Sequence, residues 1–138
     1  MPVVEIHLVE GQQPPARIEE LLRRVSERYA AVLESPITRI RAFVTMHPPE
    51  LWSTGGVTAA VDGDPAPYFV AAVLEGRPAE QRQRLLAEIT DTLCEVLGAT
   101  RSRVRGRIAQ VPPEDWGIGG VPASSRRREE IVARSSRL

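Results

Sequence analysis

The second residue of this chain is the first that could do chemistry. If Met1 is removed, as the small Pro2 behind it permits, the chain begins with a secondary amine at the head of an apolar stretch, Val3-Val4-Glu5-Ile6-His7-Leu8-Val9. An α-amino group has an unperturbed pKa of about 7.7–8.0. Burial against an apolar wall and the nearness of arginines both disfavour its protonated form, leaving much of it neutral at pH 7. A neutral amine poised near the working pH suits general acid–base catalysis. Other reactive residue types offer less. His7 and His47 stand in different elements with no further ligands in view, which argues against a metal. Cys94 is the only cysteine, so there is no intrachain disulfide and no thiolate metal site. It falls within a helical apolar pattern, the setting of a buried, inert thiol.

The elements that must position this amine come in two copies. Pro2 matches Pro67 and Glu10-Gly11 matches Glu75-Gly76, each 65 positions on. After a one-residue deletion the offset becomes 64, and Leu21-Leu22 meets Leu85-Leu86, Val32-Leu33 meets Val96-Leu97, and Arg39-Ile40-Arg41 meets Arg103-Val104-Arg105. Pro48-Pro49-Glu50 recurs as Pro112-Pro113-Glu114, Trp52 as Trp116, and Gly55-Gly56 as Gly119-Gly120. The sequence thus reads as a single domain, 1–138, of two repeats, 2–56 and 67–120. A turn-rich linker over 57–66 joins them, and a tail follows over 121–138.

Each repeat predicts strand, helix, strand. In the first, a strand from Val3 to Val9 leads through Pro14-Pro15 into a helix with Ile18, Leu21, Leu22, Val25, Tyr29, Val32 and Leu33 on its apolar stripe. Ser35-Pro36 closes it, and a strand follows over roughly Arg39 to Met46. The second repeat predicts a strand over Tyr68 to Leu74, a helix from about Ala79 to Leu97 and a strand over Val104 to Val111. Two strands joined by such a helix lie parallel. Two units side by side make an α/β (α+β) fold, a four-stranded sheet with both helices on one face, whose open face is left for further chains. In the tail, Ser124-Ser125 begins a short helix through Ile131 and Val132. The intervening run Arg126-Arg127-Arg128 reads as a solvated face or subunit contact.

Composition narrows the class. Hydrophobic residues make up 42% and charged residues 26%, the balance of an ordinary globular protein. Eighteen basic and eighteen acidic residues cancel, which weighs against a general nucleic-acid binder. No apolar run approaches the roughly 20 residues of a membrane span, and no signal-peptide core precedes the first strand, so a cytoplasmic location is expected.

An N-terminal proline after Met1, then strand, Glu-Gly, helix, a strand carrying arginine, and an aromatic followed by Gly-Gly resembles the 4-oxalocrotonate tautomerase family of the tautomerase superfamily. Leu74-Glu75-Gly76-Arg77 and Trp116-Gly117-Ile118-Gly119-Gly120 carry the likeness best, whereas the first half has Gln12 in the arginine's place and Trp52-Ser53-Thr54-Gly55-Gly56 in the hairpin. The resemblance covers residues 2 to about 123. It implies a trimer of fused units with no cofactor, in which Pro2 moves a proton between the enol oxygen and a carbon of a small carboxylate substrate, a 2-hydroxydienoate or arylenolpyruvate. Arg77 matches the family arginine that binds the far carboxylate, and Arg41 and Arg105 both match the second. Trp116 and Trp52 match the aromatic wall, with Trp116 favoured, and Tyr29 is a weaker candidate at a helix position where a fused relative keeps a polar group. Pro67 holds the place of Pro2, but its nitrogen is an amide without a basic lone pair. Fused relatives also include dehalogenases and decarboxylases, so the resemblance leaves as the enzymic alternative hydration, dehalogenation or decarboxylation of a small unsaturated or 3-oxo acid. Leu74 stands where the dehalogenase pattern has arginine, which disfavours that chemistry. A non-catalytic trimeric scaffold and an iminium-forming amine are the remaining alternatives.

Overall fold

Alternating burial makes the strands and a 3.6-residue stripe makes the helices, twice over. In the computed structural model, which describes residues 2–64, 66–127 and 132–133, the first half folds as β1 (Val3–Val9), α1 (Pro15–Leu33), β2 (Arg41–His47) and a hairpin of β3 (Ser53–Thr54) and β4 (Val57–Thr58). The second half gives β5 (Tyr68–Leu74), α2 (Ala79–Leu97), β6 (Arg105–Val111), a hairpin of β7 (Gly117–Ile118) and β8 (Val121–Pro122), and one helical turn, α3 (Ala123–Arg126). Both edge strands begin later than the apolar pattern suggests, because the residues before them, Ile37–Arg39 and Arg101–Arg103, form 3₁₀ turns. The tail's expected helix is represented by α3, and its continuation over 128–131 lies outside the described residues.

The four long strands form one sheet in the order β2-β1-β5-β6. β1 runs parallel to β2 and β5 parallel to β6, while β1 and β5 meet antiparallel at the centre. Val4, Ile6 and Leu8 of β1 and Phe69, Ala71 and Val73 of β5 are buried beneath the helices, where they meet Leu21, Val25 and Tyr29 of α1 and Leu85, Ile89 and Leu93 of α2. Each Val, Leu, Ile or Phe among them contributes roughly 1.5–3 kcal/mol by leaving water. Phe69 fits because its partner on β6 is Gly106: a Cβ there would lie 2.2 Å from the ring. In the first repeat the same pair is Val4 and Ala42, a smaller side chain beside a larger neighbour.

The helix ends differ in one residue. Both helices stop in the left-handed conformation, α2 at Gly98 (φ 70°) and α1 at Glu34 (φ 52°), the only described non-glycine residue with positive φ. The hairpins run past the glycine pairs in parallel fashion: the N–H of Ala59 donates to Trp52 at 2.8 Å and that of Ala123 to Trp116 at 2.7 Å. Beyond Ala59 the connection is pinned, with Arg103 bridging Asp62 (3.0 Å) and Asp64 (3.2 Å), and Thr100 donating to Asp64. The hydrogen bond from Arg103 holds the Asp62 carboxyl below the usual carboxylate value. No helix of the described residues is long and apolar enough to cross a membrane.

Candidate active site

The antiparallel meeting of β1 and β5 gives the sheet two ends of opposite composition. Val3 pairs with both Arg41 and Ala72, and the N–H of Arg41 donates to the Pro2 carbonyl at 3.0 Å. Pro2 therefore lies across from the end of β5, where the chain leaves the sheet through Glu75-Gly76 to Arg77. Leu74 pairs with Val111, from which a 3₁₀ turn leads to Trp116. Pro2, Arg41, Arg77 and Trp116 thus gather at one end. At the other, the N–H of Arg105 donates to the Pro67 carbonyl at 3.1 Å, Val9 pairs with His47, and the chain beyond His47 brings Trp52 over Pro67. The sequence left Arg41 and Arg105 undivided between the two prolines. Within one chain, the register assigns Arg41 to Pro2 and Arg105 to Pro67.

Arg77 is held by the opposite repeat. Its Nη1 donates to the Leu33 carbonyl at the end of α1 (2.9 Å) and to Gln81 Oε1 (3.3 Å), and Gln81 Nε2 donates to the Val32 carbonyl (2.8 Å). The other end repeats this lock with the residue types exchanged: Gln13 Nε2 donates to Leu97 (3.1 Å) and Arg17 Nη1 to Val96 (2.8 Å). The counterpart of Arg77 is therefore Gln13, not Gln12. The helices start after Pro14 and Pro78, so the inserted residue is Gln12 itself. Either pairing leaves the Pro67 end without a guanidinium at this position.

Tyr29 is fully buried on α1 and donates to the carbonyl of Ala72, the strand partner of Val3. Burial pushes its phenol well above the ordinary tyrosine value, against the opposing pull of the nearby Arg77 cation, so it stays a protonated donor. It supports the floor of the Pro2 end from the core side. Trp116 is half-buried, and its indole Nε1 is buried with no hydrogen-bond partner among the described residues. Arg41 and Arg105 are exposed, and each folds back to donate to carbonyls of its preceding turn, Thr38 and Ile40 for Arg41, Ser102 and Val104 for Arg105.

One contact escaped the sequence reading. His7 and His47 meet on the open sheet face, Nδ1 to Nε2 at 2.8 Å, with Glu5 at 3.1 Å from His7 and Trp52 edge-on to His47. Val9, two residues after His7, is the strand partner of His47, so only the register brings the two rings together. Among the described residues no group of three or more potential ligands is placed to hold a metal.

The same fold recurs in known proteins. The family model described as Tautomerase enzyme matches residues 69–126. The 2-hydroxymuconate tautomerase of Comamonas testosteroni is 40% identical over 62 residues, which cover 45% of this chain and 98% of that relative. A native fused 4-OT, solved by crystallography, superposes with a TM-score of 0.83 at 32% identity, covering 89% of this chain and 97% of the other. A further fused 4-OT, solved as an asymmetric trimer, gives a TM-score of 0.81 at 25% identity over 91% of this chain and 99% of its own.

Proposed function

From the premise that this chain belongs to the tautomerase family, as a fused member with two β-α-β units, we propose that it interconverts the enol and keto forms of a small 2-hydroxydienoate or arylenolpyruvate acid, with the Pro2 amine as base. The neutral amine takes the proton of the enol hydroxyl. As that O–H bond breaks, the C=O forms, the carbon–carbon π electrons move along the chain, and the same proton returns to the carbon that receives them. Arg77 binds the far carboxylate, and Arg41 draws electron density through the oxygen that becomes a carbonyl, in the charge-assisted geometry that guanidinium groups offer to planar oxo acids. Trp116 walls the site, keeps water from the amine and holds its pKa down.

The observation that carries this reading is the antiparallel register of β1 and β5. It supports a site in which amine, strand-end arginine and aromatic wall meet at one end of one chain, while Pro67, an amide, meets the glutamine end. A homotrimer is supported by the fused 4-OT solved as a trimer and by an open sheet face that leaves Phe43 44% exposed beside Arg41. In such a trimer, Arg105 and Trp52 can serve a Pro2 site only from a neighbouring chain.

The test is ultraviolet-monitored ketonisation of 2-hydroxymuconate and phenylenolpyruvate, with intact mass confirming loss of Met1. Turnover by the wild type that collapses in Pro2→Ala and Arg77→Gln is the expected outcome. An inactive wild type lacking Met1 would overturn the reading and direct attention to halogenated and 3-oxo acids.

A further inference from the structure

The Pro67 end is a built cavity rather than a filled remnant. It is a half-open hollow of about 230 Å³ between Pro67, Trp52, Leu97, the half-buried Gln13 and the exposed Gln12 and Asp64. The linker is what closes it, since Asp64 is tied down by Thr100 and Arg103. The volume lies just under the roughly 300–1,000 Å³ of drug-sized sites, which fits a ligand of one ring.

The lining also specifies chemistry. No arginine or lysine stands in the wall: Arg105 faces a separate, more open hollow that shares only Trp52, Ala66 and Pro67 with the cavity. Among the described residues Asp64 is the one charged side chain in the lining, and it shares the guanidinium of Arg103 with Asp62. Gln12 has no hydrogen-bond partner among the described residues, and Gln13 commits its Nε2 to Leu97. Two carboxamides, at least one with both donor and acceptor available, beside the Trp52 side chain match a flat molecule with a paired donor and acceptor on one edge. An anion there would meet Asp64 and lose its hydration without a cation in return.

We propose that the cavity at Pro67 is a second, non-catalytic binding site for a small uncharged aromatic carboxamide or a molecule of that chemistry. The amide edge bonds to Gln12 and Gln13, and the ring lies against Trp52 and Leu97. Pro67 supplies an inert floor, because its nitrogen has neither a proton nor a basic lone pair. This site stands whether or not Pro2 turns over a substrate.

The test is titration of the ¹⁵N-labelled full chain with benzamide and, separately, benzoate. Benzamide is expected to shift the Trp52 indole and the Gln12 and Gln13 side-chain amides saturably, with a Kd on the order of 1–10 mM, and benzoate to act there at least about tenfold more weakly. Trp52→Ala abolishes the shifts at both glutamines. Gln13→Arg, which gives this end the guanidinium of the other, reverses the preference toward benzoate. Equal binding of the two probes, benzamide shifts confined to Trp116 and the Pro2 end, or no saturable shift at 10-fold above that range would each overturn the proposal. Gln12→Leu provides the same test should Gln13→Arg not fold: weaker benzamide binding supports the site, and unchanged binding counts against it.

Discussion

At the Pro2 end of the sheet a guanidinium, Arg77, bonds to the last carbonyl of α1; at the Pro67 end a carboxamide, Gln13, bonds to the last carbonyl of α2 in the same way. Each lock holds one guanidinium and one carboxamide, Arg77 with Gln81 and Arg17 with Gln13, so the fold accepts the guanidinium at either place in the lock. Pro67 is joined to Ala66 through an amide, and the connection between the repeats lines this end with Gly63 and Asp64. The comparison teaches how a duplicated scaffold can separate roles: the lock between helix end and strand end is kept twice, whereas the amine proposed at Pro2 has a counterpart, Pro67, that is an amide.

The comparison breaks most visibly at the prolines. Pro2→Ala is expected to lower kcat/KM for enol ketonisation by about 10²–10⁴, the range for loss of a positioned general base, while Pro67→Ala leaves it within about twofold; equal losses in steady-state assays would mean the ends are not distinct. Arg77→Gln comes next, with a loss of about 10²–10³ in kcat/KM. Because the other end holds Gln13 with Arg17, the double variant Arg77→Gln/Gln81→Arg copies that lock and should keep the wild-type thermal midpoint while remaining inactive; recovered activity would mean that the place of the guanidinium does not matter.

Smaller effects test the exchanged packing and caps. Gly106→Ala should destabilise by about 1–3 kcal/mol in urea melts, since Phe69 is buried and its ring has nowhere to go; in the first repeat Ala42 is tolerated beside Val4. Glu34→Gly should stabilise by roughly 0.5–1 kcal/mol, giving α1 the left-handed glycine that α2 already has. The linker, present at one end only, gives the smallest effect. Arg103 lowers the Asp62 pKa in the folded state, so its contribution is complete above the ordinary carboxylate range and is lost as pH falls through the lowered value. Melts of the wild type and Asp62→Asn should differ slightly at pH 7 and converge in acid.

Much of this was legible because the chain states it twice. The strands over 3–9 and 68–74 and the helix over 79–97 follow from apolar spacing alone, whereas Pro2, Arg77 and Trp116 were singled out by resemblance to the family's motifs. Less legible were features that depend on which strand lies beside which. The sequence could not say whether Arg41 or Arg105 neighbours Pro2, because both begin an edge strand; pairing across Val3 and Tyr68 separates them. The match of Arg77 to Gln12 was off by one, since a gap beside two glutamines has no unique place in a sequence, whereas a hydrogen bond to Leu97 has one. His7 and His47, 40 residues apart, gave no signal.

By itself the sequence determined the two β-α-β units, their apolar faces and the kinds of groups available for chemistry, because those depend on residue type and short-range periodicity. Only the tertiary structure decided which groups share a site. The antiparallel pairing of β1 with β5 is a long-range match of backbone hydrogen bonds, and it carries the end of each repeat to the beginning of the other.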